Sequence, residues 1–124
     1  MVNQVLLYAA SFLLFAWGFS HLIPTKSVVQ GFGEISVDNK RIITMEWITE
    51  GVALIFSALV ICAVAFIGHT TIISKTVCWI FFAMLNVLSI VSLFTGFRIN
   101  FLPFKLCPII FTTSSILILL GIYV

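Results

Sequence analysis

An all-α fold, an integral membrane four-helix antiparallel bundle, is what this sequence predicts, on three observations. The chain is 62% hydrophobic and 8% charged, with a mean hydropathy of +1.28, so it has too little polar surface to wrap one core in water. Its apolar residues gather in four runs, roughly 5–23, 42–67, 73–97 and 104–124, each near the ~20 residues that cross a hydrocarbon core of about 30 Å. The connections after the second and third runs are short, which makes consecutive helices antiparallel neighbours. With 124 residues and neither repeat nor linker, the chain is expected to be a single domain, 1–124.

The first run is read as a retained helix: no Lys or Arg precedes it, and it ends in "GFSHLIPT" where a secretory signal would carry a small-x-small cleavage site. Pro24 closes it, because proline cannot continue the hydrogen-bond ladder and disfavours helix in the residue before it. The polar loop 24–41 follows. Thr25 to Val29 can form a short interfacial turn, broken by "GFG", and Ser36 or Asp38 can cap the second helix by accepting from its unpaired N–H groups. "GHTTIIS" joins the second helix to the third, and "GFRINFLPF" the third to the fourth.

A formal charge of +2 gives no reason to expect nucleic acid as a partner; the bilayer is the expected surroundings. Cys62, Cys78 and Cys107 lie in or beside apolar runs without the spacing of a zinc or redox motif, and read as small apolar residues, with Cys62–Cys78 the one pair placed to bridge. Basic residues set the orientation. Lys26, Lys40, Arg41, Arg98 and Lys105 fall on one side of a four-span topology and Lys75 alone on the other, so the basic end is expected in the cytoplasm and both termini outside, in a bacterial inner membrane. Trp17 and Trp47 would anchor the basic interface and Trp79 the opposite one.

Glu46 and Glu50 are out of place in such a helix. Ionisable groups at membrane depth cost several kcal/mol and are held by a partner or a watered cavity. Four residues apart, they share a face with the small residues Ala53 and Ser57, which suits a bundle interior. Facing them, Ser11, Leu14, Gly18 and His21 form one stripe of the first helix. The topology gathers His21, Glu46, Glu50, Arg98 and Arg41 at the basic end, and Asn86 lies mid-membrane. The expectation is a polar pocket closed above by the apolar bundle and below by the glycine-containing loop. Blander readings stand beside it. Glu46 gains from the positive end of its own helix, Arg98 snorkels to the interface, and Asn86 and "TTSS" at 112–115 bond backbone or a neighbouring helix. His21 with Glu46 and Glu50 has the ligand types of a metal site, but the Glu-x-x-His pairs of di-metal bundles are missing. No nucleophile–base pair, phosphate loop or haem motif is legible, so no cofactor is assigned.

"WGFSHLIPT" at 17–25, followed by "WITEGVALIF" at 47–56, resembles the DoxX-like small four-helix membrane proteins. Gly18, His21, Pro24 and Glu50, with Gly51 beside it, carry the likeness, which covers the first half of the chain. The resemblance implies a four-helix fold and, for some members, quinone-linked oxidoreductase subunits or accessory maturation factors. Three readings follow: an accessory module whose pocket binds a small amphiphile such as a quinone or lipid; an oxidoreductase subunit in which His21 and Glu50 move protons; and a small transporter or channel, which would need a homo-oligomer or a membrane partner protein to enclose a lumen.

Overall fold

The computed structural model describes residues 1–124. It is helical throughout, without strands: α1 Val2–Leu22, α2 Thr25–Gln30, α3 Val37–Ile67, α4 Ile72–Phe94 and α5 Leu102–Tyr123, with a 3-10 turn at Gly96–Arg98 before the last. Four of these helices, α1, α3, α4 and α5, are long and apolar enough to cross a membrane.

The four long helices match the four runs, and their ends are where sequence and structure part. α3 begins at Val37, five residues before the expected start at 42, because Ser36 and not Asp38 caps it, its hydroxyl accepting from the Asn39 N–H at 3.1 Å. Asp38 lies in the first turn and reaches Arg41, 3.7 Å away and equally exposed. Replacing Ser36 by alanine removes one capping bond, about 1 kcal/mol. Amide hydrogen exchange at 37–41 is therefore expected to quicken about fivefold, with α3 beyond Glu46 unchanged.

α1 is the spine of the bundle. Its buried stripe, including Leu7, Ser11, Leu14, Gly18 and His21, is the face the spacing predicts. It meets α3 along a seam of small residues. Gln4 Nε2 donates to the Ala65 carbonyl, Ser11 Oγ to the Ala58 carbonyl at 2.7 Å, and Gly18 lies against Gly51. Contacts climb α1 as they descend α3. A β-carbon on Gly18 would sit 2.9 Å from the Gly51 carbonyl oxygen and 3.0 Å from the Ile55 nitrogen, so the backbones approach as closely as glycine alone allows. Such an approach gains dispersion and backbone–side-chain hydrogen bonds, the attractions that act between helices in an apolar solvent.

The other pair is α4 with α5. Ser89 Oγ donates to the Pro108 carbonyl at 3.0 Å and lies 2.7 Å from the Thr112 hydroxyl, while Ser115 bonds back to the Thr112 carbonyl. Thr112 and Ser115 of the "TTSS" run thus bond as expected, and the buried Ser114 hydroxyl has no partner. Asn86 donates to the Phe82 carbonyl of its own helix. α5 joins the pairs by setting Gly121 against Leu7 of α1. All three cysteines are free, so the Cys62–Cys78 bridge does not form.

Consecutive helices were expected to be neighbours, and α3 and α4 are not: they barely touch. Gly68, in a positive-φ conformation (145°) that favours glycine, ends α3, and Thr71 starts α4. That short link holds the two helices together at the Lys75 end only. The α1 seam draws α3 one way and the Ser89 bonds draw α4 the other, so the pair opens toward the basic end.

Candidate functional site

α1 ends at Leu22, where Ile23 and Pro24 stop the ladder and leave its last carbonyls unpaired. Thr25 Oγ1 donates to the Leu22 carbonyl at 2.6 Å. The His21 carbonyl accepts from Trp47 Nε1 of α3 at 2.7 Å. That bond lays the indole over the imidazole, ring centroids 3.8 Å apart and planes 17° from parallel, and Phe104 of α5 meets the same indole edge-on at 5.7 Å. His21 is thereby fixed at 8% exposure, with Nε2 3.4 Å from Glu50 Oε2. The approach is that of an ion pair, too long for a good hydrogen bond, and Nε2 has no hydrogen-bond partner.

Glu50 is nearly half exposed, and what it faces is the opening between α3 and α4. This cleft has a volume of about 600 Å³, within the range of small-molecule sites. Glu46 and Glu50 lie at its basic end, Ala53 and Ser57 continue along α3, Met84 and Leu88 of α4 form the opposite wall, and Val28 and Phe32 of the α2 region cover the mouth. On the bundle side of Glu50 a second cavity, about 490 Å³, is bounded by His21, Ser92, Thr95 and Cys107. Glu50 borders both. A small void of about 30 Å³ beneath His21 is lined by Trp17, Trp47 and Cys107, and Trp17 Nε1 is buried there without a partner.

Of the six residues proposed from sequence, two come together, His21 and Glu50, while Glu46 borders the cleft beside Glu50 with its side chain exposed. Three do not. Arg98 lies in the 3-10 turn after α4 stops at Phe94, exposed, as the outward-reaching alternative has it. Arg41 is turned to Asp38. Asn86 serves its own helix. The dipole reading of Glu46 also falls: it is the tenth residue of α3 as observed, and the favourable potential is confined to the first turn. Nor do Trp17 and Trp47 form an outward belt. Trp17 packs against the core and Trp47 holds His21, whereas Trp79 is exposed and donates to Tyr123 Oη at 2.9 Å. The residue missed as a site member is Trp47. It lies three residues before Glu50, on the same helix face, which is the signal that could have found it.

Chemically, the cleft offers two carboxylates and aromatic walls at its basic end, then an apolar channel, and the buried His21 ring lies behind Glu50 on the inner cavity. No hydroxyl or thiol hydrogen-bonds His21 as a nucleophile would, and no three His, Cys, Asp or Glu side chains come close enough to hold a metal ion. Compared with known proteins, the chain matches no family model, no curated protein and no solved structure.

Proposed function

We propose that the chain is an integral membrane protein, inserted as an antiparallel four-helix bundle, that binds a small amphiphile such as a quinone or a lipid in the α3–α4 cleft. The polar head lies at His21, Glu46 and Glu50, and the tail runs along Ala53, Ser57 and Leu88 into the bilayer. The observation that carries this reading is the cleft itself. A volume of about 600 Å³, apolar along most of its length and polar at one end, opens sideways between two membrane-length helices, and that is the outline of an amphiphile. By the distribution of basic residues the head site faces the cytoplasm. The likeness of Gly18, His21, Pro24 and Glu50 to the DoxX-like pattern supports the same reading, since Gly18 builds the α1–α3 seam and His21 with Glu50 the pair beside it.

Purification in a mild neutral detergent followed by mass spectrometry of bound lipids and quinones tests the proposal. A retained amphiphile is expected, with a rise in melting temperature on adding decylubiquinone or phospholipid. Ala53→Trp, which fills the channel from an exposed position, is expected to abolish both while leaving the fold intact. A protein that carries no amphiphile and melts unchanged in their presence would overturn it.

A further inference from the structure

We propose that the head group recognised in this cleft is an organic cation, an ammonium or phosphonium centre carried on an apolar body. The inference rests on the cleft as the ligand site and adds the charge of what enters it. Glu46 and Glu50 both border the opening, and neither has a lysine or arginine partner: the ion pairs of the chain are His21 with Glu50 and Arg41 with Asp38. Lys26, Lys40, Arg98 and Lys105 belong to the same end of the molecule, but none of them pairs with either carboxylate.

One imidazole stands against two carboxylates. No lysine or arginine side chain reaches either carboxyl group to balance it. Two carboxyl groups without a basic side chain between them, set at the end of an apolar cleft, attract a counter-charge. The ring also carries the second sign of a ligand site. His21 is more than nine-tenths buried, its Nε2 has no hydrogen-bond partner, and the ring borders the inner cavity that Glu50 shares with the cleft. A satisfied structural histidine would have its nitrogens bonded.

The walls fit the same chemistry. Trp47, Phe32 and Phe104 bring three aromatic rings to the carboxylate end, and aromatic faces attract desolvated organic cations. A small inorganic cation would be served poorly, because it needs several oxygen ligands and the cleft supplies two side chains with an apolar channel beyond them. A hydrophobic cation uses both halves: its charge lies between Glu46 and Glu50, and its body lies along Ala53 and Leu88.

Tetraphenylphosphonium and tetraphenylborate separate charge from shape, being nearly the same size with opposite sign. Binding is measured by equilibrium dialysis of the full chain in maltoside micelles, with empty micelles subtracted. The phosphonium is expected to bind and the borate not. Removing one of the two carboxylates, in Glu50→Gln or Glu46→Gln, is expected to weaken phosphonium binding roughly tenfold. Glu34→Gln, in the loop before α3, leaves it unchanged. Melting curves of each variant confirm that loss of binding is not loss of fold.

Added phosphatidylethanolamine and phosphatidylglycerol then tell the sources of the cation apart. Displacement of the phosphonium by the amine lipid alone assigns the site to a lipid headgroup, and no displacement by either assigns it to a free cation. Equal binding of phosphonium and borate, or wild-type affinity in both glutamine variants, overturns the proposal. Should the phosphonium fail to bind while decylubiquinone still raises the melting temperature, the cleft stands as an amphiphile site and its preference for cations falls. If neither acts, both readings fall together.

Discussion

Gly18→Leu is expected to be among the most damaging single substitutions in the chain. A β-carbon there meets the Gly51 carbonyl at 2.9 Å and the Ile55 nitrogen at 3.0 Å. These are backbone atoms of α3 and cannot rotate away as a side chain would, so the two helices must separate. Forced separation of a packed interface costs about 3 kcal/mol. Here it also breaks the Ser11–Ala58 bond and draws His21 off Glu50. A melting midpoint about 10 °C lower in detergent is expected, with Gly18→Ala showing a smaller shift of the same sign. Phe12→Leu is the control. That side chain is 73% exposed and packs against none of the core, so its midpoint is expected to stay at the wild-type value. Equal melting of all three variants would mean that the Gly18–Gly51 contact is not what joins α1 to α3.

Trp47→Ala is the second large effect. The indole has three roles at once: it bonds the His21 carbonyl at 2.7 Å, stacks on the imidazole at 3.8 Å and receives the edge of Phe104 at 5.7 Å. Truncation leaves a cavity among three helices and an unpaired carbonyl at the end of α1, together about 3 kcal/mol. Trp47→Phe separates the roles, since it keeps an aromatic face for His21 and loses only the N–H donor, about 1 kcal/mol. If the hydrogen bond dominates, the two variants melt alike; if stacking and packing dominate, alanine is the worse by about 2 kcal/mol. The second outcome is expected. Ligand retention is expected to fall with alanine and persist with phenylalanine, because the imidazole keeps its orientation only while a flat ring supports it.

Hydropathy made the four long helices legible, because crossing length and apolar composition are local properties of a segment. The small-residue stripe of α1 and the pairing of His21 with Glu50 were legible for a related reason: helical spacing and a common end of the bundle bring them together whatever the details of packing. The start of α3 was not. Residues 37–41, "VDNKR", carry no apolar signal, and Ser36 and Asp38 compete as caps in any reading of the sequence. Which of the two readings of Arg98 holds depends on whether α4 runs through Thr95 and Gly96, a choice made by a 3-10 turn that composition does not encode. The inward orientation of Trp17 and Trp47 was hidden by the chemistry of tryptophan, which serves an interface and a core equally well. The gap between α3 and α4 was the least legible feature of all. It arises from which helix each of them prefers as a partner, and that preference is settled by backbone approach at Gly18 and a hydroxyl at Ser89, neither of which changes the apolar profile.

The α3 helix has 31 residues against 21 in α1, and it is fastened to the remainder of the chain chiefly along the edge that meets α1. A rod held on a single margin can tilt about that margin. A change in the angle at which Gly18 crosses Gly51 would therefore alter the breadth of the α3–α4 opening, with the Trp47–Phe104 contact as the tie that such a tilt must stretch.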